Sequence, residues 1–399
     1  MANKVLILEV HAKASLPVIE SCKAMGLNVI AGSYRKHCCG MYSKAVDRKV
    51  IYPQYDKNPD KFIVFMLDFL KNNTIDMMFP VGDVMTDIIA KNQEQIRKYT
   101  KILLPSYDIF VQGRNKVGTL KAAEKAGCPI PLTWYPDDEP LEKIIEKIPN
   151  YPVLVKPAIS AGARGITFCY DKNDILNNFD KVQKIYGQSF VQEYVPQDGM
   201  QYKVDAVMDE QQELYAGVVY SKLRYYPVDG GSSVLNKTEH RPDILEQAVN
   251  VMKELKWVGL CDFDFITDPR DGIVKLMEIN PRFPESYRTV EAGGVDMTKI
   301  IYQLAIGQKP EPQLQYKENQ YNRFLFGDIM WFLKTKENRF KVKPSFFRFW
   351  GKDMYYQLIR KNDLGPLWGY IRENLAMVYD KKLRTQRLRL KGKPKDGEQ

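Results

Sequence analysis

Gly259-Leu-Cys-Asp-Phe-Asp-Phe-Ile266 and Ile273-Val-Lys-Leu-Met-Glu-Ile-Asn-Pro-Arg282 are two runs in which apolar and polar residues alternate, and Asp268-Pro-Arg-Asp-Gly272 separates them. Alternation with a period of two is typical of a β-strand with one buried face. Proline fixes φ and glycine accepts positive φ, so the intervening segment suits a tight turn. The three segments together predict a β-hairpin.

The predicted hairpin carries oxygen-bearing side chains at matching positions on its two strands. Asp262 and Asp264 share one face of the first strand, and Glu278 and Asn280 share one face of the second. If the register brings these faces together, three or four oxygen ligands meet next to the cation of Arg282. Such a set suits Mg²⁺ and a nucleotide polyphosphate. A solvent-exposed acidic face is the alternative, and the hairpin taken by itself does not decide between them.

A second group of segments, rich in strand-forming and small residues, lies upstream of the hairpin. It comprises the strand Tyr151–Pro157, the loop Ala158–Gly165, the strand Ile166–Tyr170 and the strand Phe190–Pro196. A strand, a small-residue loop and a strand can fold over a polyphosphate, because backbone N–H groups can approach it closely. Lys156 is then placed to contact a phosphate. The extended segment around Glu193 can contact an adenine edge through main-chain groups.

In this order and spacing, these elements resemble the ATP-grasp superfamily. The likeness is closest to the carboxylate–amine ligases related to the carbamoyl phosphate synthase large chain, and it covers roughly residues 1–315. Its most specific part is the signature Glu278-Ile-Asn-Pro-Arg282 after a Phe-Asp-Phe strand. The phosphate loop departs from the family pattern, since Ser160-Ala-Gly-Ala-Arg-Gly165 stands where many relatives have a run of glycines.

The resemblance implies a role for each matching residue. The nucleotide is expected to contact two lysines, the small-residue loop and the adenine hinge, namely Lys116, Lys156, Ser160, Gly162, Arg164, Gly165, Glu193, Tyr194 and Val195. Asp264, Glu278 and Asn280 are expected to hold Mg²⁺ or Mn²⁺. Arg282 is expected to stabilise the transferred phosphate. Without the resemblance, Lys116 would be interpreted as a solvated lysine at the start of a helix.

Further basic residues are candidates for the substrate site. Lys222 and Arg224 are spaced to share one strand face, next to a Gly-Gly-Ser-Ser loop that offers N–H groups and hydroxyls to an anion. Together they are expected to hold a carboxylate and its phosphorylated form, although a solvent-exposed loop with incidental charges explains them equally well. Arg288 is expected to pair with a substrate carboxylate in a bidentate manner. Asp83 follows a strand end, where we favour a helix cap over a substrate contact.

The resemblance implies an enzyme that uses ATP to convert a carboxylate into an acylphosphate and joins it to an amine, which we expect to belong to an amino acid. Two enzymatic or binding alternatives stay open. One is a carboxylase that uses bicarbonate, and the other is an ATP-binding scaffold or regulatory subunit without turnover. A third alternative is a protein that binds nucleic acid or an anionic membrane. It is based on the net charge of +10.

The pattern of strands and helices divides the chain into four parts. We predict an α/β domain with a parallel sheet over 1–112, two ATP-grasp subdomains of α+β type over 113–195 and 196–315, and a helical, aromatic and basic C-terminal extension over 316–399. The same pattern predicts a helix over Met85–Tyr99, a strand over Ile102–Pro105 and a helix over Met354–Arg360. No G-x-G-x-x-G follows the first strand, which disfavours a dinucleotide fold.

Composition limits the class of protein. The chain has 399 residues, and its six cysteines show no C-x-x-C spacing, so we expect reduced thiols in the cytoplasm. We find no signal-peptide pattern at the start and no apolar run near the roughly 20 residues that span a bilayer. We expect small-molecule carboxylate and amine substrates and no nucleic-acid partner, and a homodimer stays open. The C-terminal extension is expected to pack on the core, to dock a protein or to lie peripherally on the inner membrane surface.

Overall fold

The computed structural model describes residues 3–160, 164–228 and 230–379. Its first unit is a parallel sheet of order β3-β2-β1-β4 with helices on both sides. The elements are β1 (Lys4–Ile7), α1 (Ser15–Ala24), β2 (Asn28–Ser33), β3 (Arg48–Ile51), α2 (Pro59–Asn72), β4 (Met77–Phe79), α3 (Asp83–Lys91) and α4 (Gln93–Ile96). Strands and helices alternate here as the sequence predicts. The parallel sheet places the carboxyl ends of its strands at one edge, facing the rest of the chain.

Two expectations for this unit are wrong, and both fail at short elements. The predicted strand Ile102–Pro105 does not form, since the only sheet contact there is an isolated bridge between Lys101 and Met77. The predicted helix Met85–Tyr99 is split at Asn92, whose side chain donates to the carbonyl of Ile88 and closes α3.

The second unit is an antiparallel sheet of order β5-β8-β6-β7. Its elements are α5 (Tyr107–Arg114), α6 (Lys116–Lys125), β5 (Thr133–Trp134), α7 (Leu141–Lys147), β6 (Val153–Pro157), β7 (Thr167–Cys169), α8 (Lys172–Tyr186) and β8 (Ser189–Glu193). Helix α6 begins where the Asn115 side chain accepts hydrogen bonds from two backbone N–H groups. It ends before Gly127, which has a φ of +69°.

The third unit is a seven-stranded mixed sheet of order β13-β12-β9-β10-β11-β14-β15. Its elements are β9 (Gln201–Met208), β10 (Leu214–Tyr226), β11 (Ser232–Thr238), α9 (Pro242–Glu254), β12 (Gly259–Thr267), β13 (Val274–Asn280), α10 (Arg288–Ala292), α11 (Met297–Ala305), β14 (Tyr321–Arg323), α12 (Leu325–Lys334), β15 (Met354–Tyr356) and α13 (Gly365–Tyr379). A buried core that includes Trp257, Phe263 and Phe265 lies between this sheet and α9. The hairpin therefore rests on a packed, rigid base.

The C-terminal extension is built onto the third unit and reaches back to the first. The predicted helix Met354–Arg360 is wrong, because Met354–Tyr356 instead forms β15 and pairs in parallel with β14. Beyond it, Asp363 accepts a hydrogen bond of 2.8 Å from Ser43 Oγ in the first unit. The extension thus contacts both the third unit and the first unit. In the parts of the chain that the structure describes, no helix is long and apolar enough to cross a membrane.

Candidate active site

The hairpin expected from the sequence is present, and its register brings the oxygen-bearing side chains together. Asp262 lies opposite Asn280, and Asp264 lies opposite Glu278. The Asn280 amide Nδ2 donates to Asp264 Oδ2 at 3.1 Å across the strand pair. The predicted metal ligands Asp264, Glu278 and Asn280 therefore meet on one face of the sheet.

A lysine that sequence reasoning missed lies between the two aspartates. Lys203 occupies β9, and its Nζ donates to Asp262 Oδ2 at 2.8 Å and to Asp264 Oδ2 at 3.0 Å. It is almost wholly buried. Although burial alone would lower it, the carboxylates of Asp262 and Asp264 raise the pKa of Lys203 above its ordinary value. The available signal was a lysine in the middle of a strand that is otherwise largely apolar.

A third carboxylate lies behind this cluster. Asp205 is opposite Asp262 in the β9–β12 register, and both are fully buried. Burial, and then the nearby charge of Asp262, raise the pKa of Asp205 well above its ordinary value. Asp264 differs, because although burial opposes it, the cations of Lys203 and Lys222 lower the pKa of Asp264. We infer that the protonated member is Asp205, while Asp264 keeps its charge.

Two further lysines contact the hairpin from other elements. Lys116, the first residue of α6, lies with Nζ 3.0 Å from Glu278 Oε2, and it also donates to the Ser160 carbonyl at 3.4 Å. Lys222 on β10 forms an ion pair with Asp264 Oδ1. Because these lysines lower the pKa of Glu278 and Asp264 against the effect of burial, both carboxylates are ionised at neutral pH.

Lys156 approaches the same region from the end of β6. Its Nζ donates to Gln192 Oε1 at 2.9 Å, and it is buried. Burial lowers the pKa of Lys156 to about 8, because the nearby charge of Glu278 offsets the cost only in part. A buried lysine with only a neutral hydrogen-bond partner is suited to receive an anion.

Arg282 joins the hairpin to the first unit. Its Nη1 donates to Asp262 Oδ2 at 2.9 Å, and its Nε donates to Asp83 Oδ1 at 3.0 Å. The favoured interpretation of Asp83 as a helix cap is wrong, since Gly82 occupies the cap position and the Asp83 side chain pairs with Arg282 instead. The carboxyl edge of the parallel sheet is thereby attached to the end of the hairpin.

The predicted nucleotide loop lies between β6 and β7. The Ser160 carbonyl faces Lys116, and Gly165 has a φ of +76° with its Cα packed near the Tyr186 ring and Pro157, so that a Cβ there would come within 3.0 Å of both. Arg164 follows the part of the loop that includes Gly162, and Gly162 lies outside the described residues. The Ser160 end of the loop therefore lies beside Lys116, whereas the Gly165 end packs near Tyr186 and Pro157.

The predicted adenine hinge follows β8. Glu193 Oε1 accepts from the Leu132 N–H at 2.9 Å and from Lys275 Nζ at 3.0 Å, and Oε2 accepts from Arg270 at 2.8 Å. The Glu193 side chain thus holds the hinge against the hairpin turn, and the Tyr194 and Val195 main chain continues from it. Contact of these three residues with a nucleotide stays a prediction.

Of the predicted substrate residues Lys222 and Arg224, only Arg224 lies away from the hairpin. The expectation that Lys222 and Arg224 share a face is wrong, because a strand irregularity between them lets the two side chains diverge. Arg224 is buried, donates to both carboxylate oxygens of Asp328 at 3.2 and 3.0 Å, and its guanidinium lies 4.5 Å from the Trp331 ring centroid. Lys222 alone of the pair reaches the hairpin.

Arg288 also has internal partners instead of an open position. It is buried, and its Nη1 and Nη2 donate to the two carboxylate oxygens of Glu20 at 2.7 and 2.8 Å, with Glu291 as a further partner at 2.7 Å. Arg360 joins the same group of charges through Glu20 and Glu291. The bidentate pair expected of Arg288 exists, but its carboxylate belongs to the protein.

The donor set fits a divalent cation by its chemistry. Asp264, Glu278 and Asn280 supply carboxylate and amide oxygens, which are the ligands that Mg²⁺ prefers, and both carboxylates are ionised. Within the described residues, no group of three or more His, Cys, Asp or Glu is arranged to hold a metal. Lys116 and Lys222 contact these carboxylates instead. A cation bound here would take the place of those lysine ammonium groups.

Comparisons with known proteins agree with this geometry. Residues 114–286 match the family model described as an ATP-grasp domain. The fold and the site define a nucleotide-binding domain, in which Lys116 and Lys156 of the second unit lie near Glu278 on the hairpin of the third. The chain therefore contains an ATP-grasp domain over these matched residues.

Two curated relatives and one solved structure illustrate the likeness. The chain is 26% identical over 303 residues to a D-aspartate ligase of Enterococcus faecium, covering 71% of this chain and 72% of that protein. It is 24% identical to a D-alanine–D-alanine ligase of Borreliella burgdorferi over 53% of this chain and 64% of that protein. The biotin carboxylase domain of the Hydrogenobacter thermophilus 2-oxoglutarate carboxylase, solved with MgADP and bicarbonate, superposes with a TM-score of 0.65 at 18% identity over 80% of this chain and 74% of that chain.

Proposed function

We propose that this protein is an ATP-dependent ligase that activates a carboxylate as an acylphosphate and joins it to the amine of an amino acid, releasing ADP and phosphate. One observation carries the proposal. On a single rigid hairpin, Asp264, Glu278 and Asn280 meet two lysines from other elements and lie beside Arg282. A polyphosphate, a divalent cation and a transferring phosphoryl group each find suitable partners there.

The chemistry explains why such a site is needed. An amine does not displace oxide from a carboxylate, whereas phosphate is a good leaving group, so ATP must first phosphorylate the acid. Lys116, Lys156 and Arg282 would stabilise the charge on the phosphates as it shifts between oxygens. Mg²⁺ bound by Asp264, Glu278 and Asn280 would shield the phosphate oxygens, which otherwise repel the acid.

The relatives support an amino acid as the amine. Both curated relatives described above are named as ligases of amino acids, one of D-aspartate and one of D-alanine. We propose that the acid is likewise a small molecule. The solved carboxylase domain shares the fold, and its bicarbonate defines the alternative that an experiment must separate.

An ADP-release assay tests the proposal. Purified protein with MgATP is offered an array of carboxylic acids against an array of D- and L-amino acids, and products are identified by mass spectrometry. We expect ADP release that depends on both an acid and an amine, with an amide as the product. ADP release with bicarbonate and no other acid would favour the carboxylase. ATP binding by calorimetry without turnover across the arrays would favour the scaffold and contradict the ligase.

Variants of the hairpin test the proposed metal ligands. Glu278→Ala and Asn280→Ala should each lower kcat by at least roughly 100-fold, because each removes a group that stabilises charge in the transition state. Glu254→Ala is the control, since Glu254 is an exposed acid at the end of α9. Turnover near that of the control in either variant would remove that residue from the proposed metal site.

Location and assembly follow as proposals. We propose that the protein works in the cytoplasm, where ATP and amino acids are available. The Hydrogenobacter thermophilus domain was solved as a dimer, and a homodimer of this chain stays a prediction that light scattering can check.

A further inference from the structure

The C-terminal extension presents large apolar side chains on its surface. Leu333 at the end of α12 is 58% exposed, and Phe340, Phe347 and Trp350 in the following segment are 71%, 55% and 83% exposed. We name these four residues the aromatic patch. Single exposed apolar residues are ordinary, but four large ones within one short segment mark an interaction surface.

The aromatic residues of the patch are connected through ring contacts. The rings of Phe340 and Phe347 are stacked with centroids 6.3 Å apart, and Phe347 contacts Phe346 at 5.4 Å. Phe346 contacts Phe349 at 5.6 Å, which in turn contacts Trp350 at 5.9 Å. The exposed rings of Phe347 and Trp350 are therefore linked through the inner rings of Phe346 and Phe349.

A buried base holds this surface in place. Phe346 is buried, and the guanidinium of Arg323 lies 4.8 Å from its ring centroid and 4.6 Å from that of Phe349. Arg323 Nη2 also donates to the Phe346 carbonyl at 2.8 Å, and its Nε donates to Asp328. These contacts hold the inner rings, and the outer rings of Phe340, Phe347 and Trp350 are exposed next to them.

Basic side chains surround the patch. Residues 333–352 contain one acid, Glu337, and seven basic residues: Lys334, Lys336, Arg339, Lys341, Lys343, Arg348 and Lys352. The five lysines are exposed, whereas Arg348 pairs with Asp353. An apolar surface bordered by cations is complementary to a surface with an apolar interior and an anionic boundary.

We propose that the aromatic patch and its lysines bind the surface of an anionic lipid bilayer. Aromatic rings are suited to the boundary between head groups and acyl chains, while lysine side chains extend to the phosphates above it. A second copy of this chain is a poorer occupant, because a two-fold contact would bring the same lysines against each other. This inference goes beyond the ligase chemistry and does not depend on it.

Vesicle sedimentation tests the proposal with the full-length protein. Vesicles of phosphatidylcholine alone are compared with vesicles that also contain phosphatidylglycerol, at low and at physiological salt. We expect binding to the anionic vesicles that weakens as salt rises. Trp350→Ser and the triple change Phe340→Ser, Phe347→Ser and Trp350→Ser should weaken it by at least roughly 10-fold, because apolar area is lost from the boundary region.

A charge-reversal variant tests the basic border separately. Lys334→Glu, Lys336→Glu, Lys341→Glu and Lys343→Glu together should weaken binding by at least roughly 100-fold, because each lysine near an anionic surface adds to the attraction and each glutamate opposes it. The matched controls alter other faces: Val64→Ser with Ile185→Ser for the apolar change, and Lys57→Glu, Lys61→Glu, Lys71→Glu and Lys98→Glu for the charge change. Controls should bind as the unaltered protein does.

Several results would overturn the proposal. These are no binding of the unaltered protein to anionic vesicles, an equal loss in the controls, or a loss seen only when residues 380–399 are deleted. Light scattering that shows a dimer, dissolved by Trp350→Ser, without vesicle binding would assign the patch to self-association instead. ADP release measured without lipid should be the same in the patch variants and the controls, so failure of this proposal is distinguishable from failure of the ligase.

Discussion

Replacing Lys203 with methionine should weaken the sheet beneath the active site. Its Nζ lies 2.8 Å from Asp262 and 3.0 Å from Asp264 in a nearly dry environment, and Asp205 is opposite Asp262 on the neighbouring strand. Removing one partner of a buried ion pair costs about 3–5 kcal/mol, because an uncompensated charge remains. A loss of about 3 kcal/mol in local stability speeds amide exchange by roughly 150-fold.

Hydrogen exchange followed by mass spectrometry measures this loss in the peptides that cover β9 and β12. The cost should also depend on pH. Without the lysine, the folded-state pKa values of the clustered aspartates rise above their unfolded values, so the folded state binds more protons and stability falls as pH rises. We therefore expect a larger loss of protection near pH 8 than near pH 5, after correction for intrinsic exchange rates.

The control is Lys275→Met, which removes a lysine buried between Asp268 and Glu193 at the hairpin turn. It should increase exchange in the turn and leave β9 protected. Unchanged protection of β9 in Lys203→Met, or a loss that is the same at both pH values, would refute the reasoning that this lysine holds a cluster of carboxylates together.

Three more predictions follow from buried charges. Because the pKa of Lys156 is about 8, MgATP affinity should fall by up to about tenfold from pH 8 to 9, and Lys156→Arg should remove this fall. Calorimetry measures the affinity, and the same fall in Lys156→Arg would contradict the prediction. Burial raises the pKa of Glu9 from 4.5 to about 7, so the folded state binds the extra proton between these values and the free energy of unfolding falls as pH rises through them. Glu9→Gln should flatten this dependence by about 3 kcal/mol in urea titrations, and an unaltered slope would exclude Glu9. Arg224→Ala should destabilise the C-terminal extension by about 1–3 kcal/mol, because Asp328 loses one of its two arginine partners and keeps Arg323. It should leave kcat within about twofold, whereas Lys222→Ala should lower kcat; the reverse pattern would restore Arg224 to the substrate site.

Local sequence rules were sufficient for the hairpin. The two strands alternate with period two, and the short turn leaves little freedom in register, so the approach of Asp264 to Asn280 follows from the chain itself. Lys116 was placed at the start of a helix in the same way, because Asn115 caps that helix and Gly127 follows its end. These features depend on neighbours that are close in sequence.

The failures depend on distant parts of the chain or on a single irregular residue. Arg224 leaves the site because one irregularity in β10 changes the direction of its side chain, which a pattern of period two does not reveal. Arg288 is neutralised by Glu20, whose position is 268 residues away. The residues over Met354–Arg360 have the apolar spacing of a short helix, but Met354–Tyr356 pairs with β14, and its two tyrosines are residues enriched in strands. Tertiary contacts decided each of these outcomes.

The ion pairs of the site explain how it can exist without a nucleotide and still bind one. Lys116 and Lys222 neutralise Glu278 and Asp264, so neither carboxylate is left as an unpaired buried charge. If ATP bound here with a divalent cation, Glu278 and Asp264 would hold the metal, and Lys116 and Lys222 would be free to pair with phosphate oxygens. Each charge keeps a partner throughout, so binding does not require an isolated ion inside the protein. Lys203 differs, since it lies on the sheet itself and contacts both Asp262 and Asp264 there. We propose that Lys116 and Lys222 would be the cations that change partners, whereas Lys203 would maintain the geometry of the proposed metal ligands.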